Sequence, residues 1–136
     1  MQQQKPNTIN LNTVQYDKYV SSIGVKNIVI QEVSEKVNDK GYLTFRLKCV
    51  DQNDEVSFEE FDYSAYGQRK IKKFCEKTEM FTEKEMREFN HMMFVNREFQ
   101  VEYFNTKNKY YEPTNPNSRE YILTIGNNTY KKAEQK

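Results

Sequence analysis

The segment Asn105–Pro113 combines the residue types that can bind a flexible anionic polymer. It places the adjacent aromatics Tyr110 and Tyr111 beside Lys107 and Lys109. Flat rings are surfaces on which nucleobases stack, at about 1–3 kcal/mol per base, and lysine ammonium groups neutralise phosphates. The alternative is a mobile connection whose tyrosines fold back onto the domain. The pattern therefore predicts a nucleic-acid contact and leaves a structural loop open.

A second candidate surface lies on a segment in which polar and apolar residues alternate. Tyr42, Arg46 and Lys48 fall on one side of it, with about 7 Å between residues i and i+2 of a strand. An arginine and a tyrosine on one such side can follow successive nucleotides, although solvated charge on an exposed strand has the same sequence pattern. Two lysines of the preceding loop would add to its positive potential, Lys36 and Lys40.

A third group of cations lies on a predicted helix. Ile71, Phe74 and Cys75 have the spacing i, i+3, i+4 of a buried helix face, which leaves four cations largely outside: Arg69, Lys70, Lys72 and Lys73. Such a run is equally typical of a solvated face. The net charge is only +1, and residues 51–62 are acidic without any lysine or arginine. Charge alone therefore does not require a nucleic-acid partner.

Catalysis and metal binding have little support. His91 is the only histidine, and Glu59, Glu60 and Asp62 lack the regular oxygen-ligand spacing of a cation loop. Only four glycines are present, and no glycine-rich phosphate loop occurs among them. We therefore expect no enzyme, no cofactor and no metal site. The two cysteines lack CxxC spacing and are predicted to be small buried hydrophobes, Cys49 and Cys75.

The hydrophobic pattern predicts three strands, a helical insert and two further strands. The strands are expected at Val25–Val33, Tyr42–Val50, Val56–Tyr63 and Asn96–Asn105, and around Tyr121, Leu123 and Ile125. In the third strand, Phe58, Phe61 and Tyr63 do not keep period two. A bulge near Glu59 and Glu60 would reconcile them.

The insert is predicted as a helix at Gly67–Lys77, followed by a capping box at residues 82–85 and a helical stripe of Met86, Phe89 and Met93. This order predicts a mainly β chain with a helical insert, arranged as a five-stranded, partly open OB-fold-like Greek-key barrel. The central strands and two loops of such barrels bind oligonucleotides. A flat α+β sheet covered by the helices is the competing architecture.

One domain accounts for the whole chain. We assign residues 21–127 to it, residues 1–20 to a flexible polar arm and residues 128–136 to a basic, frayed tail. No segment approaches the roughly 20 consecutive apolar residues of a membrane span, and the polar N-terminus lacks the apolar run of a secretion signal. The expected location is therefore the cytoplasm, without a membrane partner.

Three features carry a resemblance to a known family. They are the hairpin Val25–Val50 with Asn38-Asp39-Lys40-Gly41 at its turn, the helical segment after the third strand, and the run Phe94–Val101 leading into the fourth. Over roughly Val25–Ile125, the layout resembles the small single-stranded DNA-binding proteins of bacteriophages.

The resemblance implies that the chain coats single-stranded DNA during phage replication or recombination, in the host cytoplasm if it is phage-encoded. Residue by residue, it points to Tyr42, Arg46, Lys48, Lys107, Lys109, Tyr110 and Tyr111. Asn96 stands where such proteins often have glycine, and asparagine tolerates a left-handed turn. The basic end Lys131–Lys136 differs from the acidic tail by which many bacterial single-strand binders recruit proteins.

Two hypotheses remain after this stage. The first is binding of single-stranded DNA, with RNA, replication or recombination proteins and self-association left open as partners. The second is a non-catalytic OB-fold module for protein interaction, which would use the acidic third strand and the N-terminal arm. The second is motivated by the near-zero net charge, which is low for a dedicated nucleic-acid coat.

Overall fold

The structure, a computed structural model, describes residues 8–13 and 16–134 and is dominated by one curled β-sheet. The strands are β1 (Lys18–Tyr19), β2 (Gly24–Val37), β3 (Leu43–Val50), β4 (Glu55–Asp62), β5 (Glu98–Lys107), β6 (Tyr121–Ile125) and β7 (Lys131–Lys132). The helices are α1 (Ala65–Thr78) and α2 (Glu83–Arg87), with 3-10 turns at Leu11–Thr13, His91–Phe94 and Asn127–Thr129. The prediction of a mainly β chain with a helical insert is confirmed.

The long strand β2 gives the sheet its half-barrel shape. The strand order is β1-β4-β3-β2-β5-β6, and β7 also pairs with β5. β2 pairs with β5 through residues 24–29 and with β3 through residues 29–37, and its register shifts between Ile30 and Glu32. A bulge of this kind bends a strand and increases its twist. β2 therefore passes from one neighbour to the other where the sheet curls.

The bulge predicted near Glu59 and Glu60 is wrong. β4 pairs with β3 in an unbroken register from Thr44 opposite Asp62 to Val50 opposite Val56. Phe58 lies on the outer face of β4, half-buried under the guanidinium group of Arg46. The Arg46 side chain shields this ring from solvent on the outer face. Phe58 therefore does not have to turn toward the core, and β4 needs no bulge.

The core lies between the concave face of the sheet and the helical insert. Phe45, Leu47 and Cys49 of β3 are fully buried, as their alternation predicts, and α1 covers them with an apolar face. That face consists of the three residues expected from helical spacing, Ile71, Phe74 and Cys75. Both cysteines are free and buried, and burial raises the pKa of each thiol, that of Cys75 to about 12.

The helical insert is divided into short, individually capped pieces. The Ser64 hydroxyl accepts from the backbone N–H of Gly67 at the start of α1, and the predicted capping box joins Thr82 and Glu85 at the start of α2. The stripe that begins at Met86 is not one helix, because α2 ends at Arg87 and a 3-10 turn follows at His91–Phe94. No helix among the described residues is long and apolar enough to cross a membrane.

Arg97 ties this insert to the entry of β5. Its guanidinium donates to the carbonyl oxygen of Met80 at 2.8 Å and to the Glu85 carboxylate at 2.6 Å. Hydrogen bonding to the Thr82 backbone, and then to Arg97, holds the pKa of Glu85 below its ordinary value. The preceding residue, Asn96, has φ 68°, so the left-handed conformation anticipated for it is present.

Both ends of the chain join the sheet further than predicted. Lys18 and Tyr19 of the N-terminal arm form β1, parallel to β4, and residues 1–7 of that arm lie outside the described residues. The tail was expected to fray, yet Lys131 and Lys132 pair with β5. The hydroxyl of Tyr130 donates to Glu59 Oε2 at 2.6 Å. The tail thus supplies a hydrogen-bond donor to the Glu59 carboxylate on the core side of β4.

Replacing Glu59 with glutamine should stabilise the protein at neutral pH. Burial raises the folded-state pKa of Glu59 above its ordinary 4.5, the largest of several influences on it. As pH rises above 4.5, the carboxyl ionises in the unfolded chain before it ionises in the folded one, so Glu59 increasingly favours unfolding. The Glu59→Gln gain in melting temperature should therefore be present at about pH 7, shrink as pH falls toward 4.5 and be absent below it.

The adjacent outward carboxylate provides the control for this measurement. Glu60 is exposed on the other face of β4, so Glu60→Gln makes the same charge change without burial and should leave the melting temperature almost unchanged. A Glu59→Gln variant that is less stable than the wild type at neutral pH would contradict the assignment.

Candidate nucleic-acid interface

The outer face of β2, β3 and β4 carries charged side chains in regular cross-strand rows. Antiparallel pairing sets Lys36 opposite Thr44, Ser34 opposite Arg46 and Glu32 opposite Lys48. On the other side of β3, Thr44 lies opposite Asp62, Arg46 opposite Glu60 and Lys48 opposite Phe58. Cations and carboxylates therefore alternate over this face, which explains how a chain of near-zero net charge still presents local cationic positions.

A guanidinium group lies over an aromatic ring on this face. The Arg46 guanidinium carbon lies 3.5 Å from the centroid of the Phe58 ring, and the Tyr19 ring, tilted by 49°, has its centroid 6.3 Å from that of Phe58. Arg46 and Tyr19 are both exposed. A guanidinium group held flat on an aromatic ring can accept a nucleobase on its free side and still attract phosphate. We refer to these three residues as the outer-face stack.

Lys48 is less available than its neighbour on the same strand. Its ammonium group lies 3.3 Å from Asp17 Oδ1 and 3.6 Å from Glu32 Oε2, and its side chain is largely covered. Two carboxylates already neutralise this cation. Of the two cations predicted on β3, Arg46 is therefore the one with a free surface.

The β2–β3 hairpin positions three further predicted residues. Asn38 Oδ1 accepts from the backbone N–H groups of Lys40 and Tyr42, and Gly41 has the positive φ of 85° expected for this turn. The Tyr42 side chain is 44% exposed. Lys36 precedes the turn on the outer face. The hairpin therefore holds Lys36, Lys40 and Tyr42 at one end of β2.

A cleft lies between this hairpin and the start of α1, and we call it the hairpin–helix cleft. Its free volume is about 480 Å³, and its lining includes Lys36, Thr44, Glu60, Asp62, Tyr66 and Lys70. Hydrogen bonds from Ser64 hold the pKa of Asp62 below its ordinary value, and Lys70 and Lys40 lower it further. Cations of the hairpin and of α1 thus converge on one carboxylate.

Sequence reasoning overlooked several members of this surface. Tyr66 is 65% exposed, with the Lys70 ammonium group 5.5 Å and the Arg69 guanidinium 6.0 Å from its ring centroid. Tyr19 was assigned to the flexible arm, and Phe58 was named only as an aromatic that breaks the period of the third strand. Thr44 lies on the outer face beside Arg46 but is only 4% exposed. The signal available for Tyr66 was its spacing of i, i+3 and i+4 to Arg69 and Lys70 on the same helix.

The other four predicted residues lie at the end of β5 and on the loop between β5 and β6. Hydrogen bonds order this loop, since Asn108 N–H donates to the Glu120 carbonyl and Asn108 Oδ1 accepts from Tyr110 N–H. Tyr110 is 81% exposed and Tyr111 38% exposed. The Lys109 ammonium group lies 5.4 Å from the Tyr110 ring centroid. Tyr110 therefore projects into solvent, and Lys107 ends β5 just before the loop.

The two groups of predicted residues lie at opposite ends of β2. The hairpin follows Val37, whereas β5 runs past the other end of β2, where Tyr103 pairs with Gly24. β2 has 14 residues, and the 13 steps between its first and last residue, at about 3.3 Å each, separate those ends by up to roughly 43 Å along the strand. No hydrogen bond, ion pair or ring contact between described residues joins the groups. One strand touching both groups would therefore have to span most of the length of β2, with the outer-face stack nearer to the hairpin.

The possible catalytic and metal-binding residues are distributed differently. His91 is buried, with Nδ1 2.9 Å from Tyr63 Oη and Nε2 2.6 Å from Glu35 Oε2, and its ring stacks on Phe45. Glu59 faces the core while its neighbour Glu60 faces outward. Within residues 8–13 and 16–134, no three histidine, cysteine, aspartate or glutamate side chains are grouped to hold a metal.

Comparison with known proteins adds no family to these observations. No protein-family model matches the chain, and the search of curated proteins finds no match either. The functional argument therefore depends on the chemistry of the outer face and of the two loops.

Proposed function

We propose that the chain binds single-stranded DNA along the outer face of an OB-fold-like half-barrel, as the bacteriophage proteins it resembles would. The order β5-β2-β3-β4 supports this fold, because a Greek key returns its fourth strand to lie beside the first. The loops after the first and fourth strands of that key are the β2–β3 hairpin and the β5–β6 loop. Both carry exposed tyrosines and lysines.

The observation that carries the proposal is the outer-face stack. Single-strand binders without strong sequence preference combine planar groups for stacking with cations for the phosphates, and Arg46 over Phe58 supplies both at one position. The stack lies on the strands between the two tyrosine-bearing loops. An extended strand on this path would meet exposed aromatic side chains at each loop and the Arg46 guanidinium opposite Ser34, toward the hairpin end of β2.

Replacing Arg46 should weaken binding to oligo-dT of about 16 nucleotides by roughly tenfold, since one stacking position and one cation are lost. Fluorescence anisotropy at about 50 and 200 mM salt should show affinity falling as salt rises. Arg46→Lys keeps the charge without the planar stack, so it should bind more weakly than the wild type and more tightly than Arg46→Ala.

The matched control is an arginine elsewhere on the molecule. Arg87 is exposed on α2 and pairs with Glu83, so Arg87→Ala removes the same charge away from the outer face and should bind like the wild type. Absent binding, or binding insensitive to salt, would overturn the proposal. Equal losses in the Arg87 and Arg46 variants would reduce it to nonspecific charge attraction.

One observation favours a protein-interaction module as the second candidate function. Phe104 and Ile122 on the β5–β6 hairpin are each 42% exposed, and Tyr121 is 56% exposed. Exposed apolar side chains grouped on one element are typical of protein contacts. A stable protein complex formed without oligonucleotide, together with failure to bind oligo-dT, would favour this function over the first.

A further inference from the structure

The hairpin–helix cleft contains a buried polar atom without a partner. The Thr44 side chain is 4% exposed, and its hydroxyl oxygen forms no hydrogen bond with any described residue. Thr44 lies on the central strand β3 and lines the cleft. Buried hydroxyl groups are almost always hydrogen-bonded, to protein or to ordered water. The Thr44 hydroxyl therefore has bonding capacity that a molecule entering the cleft could use.

The charges of the cleft argue against a phosphate group as that molecule. Asp39, Glu60 and Asp62 line it together with Lys36 and Lys70. The three carboxylates would repel a phosphate, whereas they accept hydrogen bonds from N–H donors. A neutral ligand that carries both hydrogen-bond donors and acceptors can pair with the carboxylates and with the lysines of this lining.

Tyr66 restricts the shape of that ligand. Its exposed ring stands at the cleft beside the ammonium group of Lys70, as a flat wall against which a planar molecule can stack. The cleft also adjoins the outer-face stack, because Thr44 and Arg46 are alternate residues on the same side of β3. A base of a strand bound at Arg46 is therefore close enough to enter the cleft.

We propose that the hairpin–helix cleft binds a guanine base, so that the protein prefers single strands containing guanine. The inference rests on the proposed function and specifies the base taken at one position. Guanine presents two adjacent donors, N1–H and its amino group, which match carboxylate acceptors. Its O6 and N7 accept from lysine. Thymine has one donor and no amino group, and adenine and cytosine set an acceptor beside their amino group.

The test compares oligo-dT of about 16 nucleotides with the same strand carrying one central dG, dA, dC or deoxyinosine. One dG should raise the affinity by about tenfold, the size of a good bidentate base contact. Deoxyinosine lacks the amino group and should recover only part of that gain. Glu60 forms no hydrogen bond or ion pair within the described residues. Glu60→Gln should therefore abolish the dG preference, measured as the ratio of the affinities for the dG-containing strand and for oligo-dT.

Two further variants keep the outcome interpretable. Glu98→Gln makes the same charge change on the exposed face of β5 and should keep the dG preference. Thr44→Val removes the orphan hydroxyl at nearly constant shape and should reduce the preference, with its melting temperature measured in parallel. Equal affinity for all strands, or a dG preference that survives Glu60→Gln, would overturn the guanine assignment and leave single-strand binding intact.

Failure of the proposed function has a different signature. If no strand of any composition binds, that function is wrong. A titration with dGMP and dTMP, followed by NMR at the backbone amides of Thr44 and Tyr66, then tests the cleft by itself. Shifts at both residues with dGMP but not with dTMP would support the cleft, and equal or absent shifts would overturn it.

Discussion

Simultaneous replacement of Tyr110 and Tyr111 by alanine should weaken binding to oligo-dT of about 16 nucleotides by roughly thirtyfold or more. Each ring can stack one base at about 1–3 kcal/mol, and about 2 kcal/mol for the pair already corresponds to that factor. Both side chains belong to an ordered loop in which Asn108 bonds to the backbone of both residues. Their removal should leave the fold unchanged, because neither belongs to the core.

The length of the oligonucleotide makes this prediction specific to the path along β2. A strand of about 4 nucleotides can occupy only one end of that path, whereas one of about 16 can reach both loops. The double variant should therefore lose much more affinity for the long strand than for a short strand bound at Arg46. Anisotropy with both lengths measures this difference. Equal losses for both lengths would place the tyrosines and Arg46 in one compact site and contradict the extended path.

Phe94→Ala should lower the free energy of unfolding by about 3–5 kcal/mol. The ring is fully buried in the 3-10 turn of the insert, where it joins the sheet to the helices. Its centroid lies 5.1–6.0 Å from those of four other rings: Phe45, Phe74, Phe81 and Phe89. Truncation removes these contacts and leaves a cavity that a rigid aromatic cluster cannot close.

The control lies two residues away on the same turn. Met92 is 50% exposed, so Met92→Ala changes the same element without creating a cavity and should change stability by less than about 0.5 kcal/mol. Urea unfolding followed by circular dichroism measures both variants. A loss below about 1 kcal/mol for Phe94→Ala would mean that the insert packs loosely on the sheet.

Much of the strand pattern could be predicted because it depends on neighbouring residues only. The alternation at Phe45, Leu47 and Cys49 predicted their burial, and the turn at Gly41 predicted a positive φ, and both are confirmed. The end of β2 was missed, since residues 34–36 are polar and the segment from Ser34 to Gly41 was interpreted as a connection. Residues 34–37 stay extended because each pairs with a residue of β3, from Ser34 opposite Arg46 to Val37 opposite Leu43.

The candidate site was only partly predictable for a related reason. Arg46 has the spacing of an exposed strand residue, and its position on the outer face is visible in the sequence. The ring beneath it, Phe58, belongs to another strand and has the sequence pattern of a core aromatic. Tyr19 comes from a polar segment that becomes a strand only beside β4. Their contact depends on strand pairing, which leaves no mark on local periodicity.

By itself, the sequence determined which residues of β3 face the same way, that a turn falls at residues 38–41 and that a helical insert separates two β segments. These follow from side-chain period, turn chemistry and capping, all of which act over a few residues. Only the tertiary structure decided that the two tyrosine loops lie at opposite ends of β2 and that Arg46 covers Phe58. It also decided that Thr44, whose hydroxyl has no partner among the described residues, lines a cleft. Those arrangements arise from hydrogen bonds between strands far apart in the chain and from a bulge that bends β2, and no local pattern specifies them.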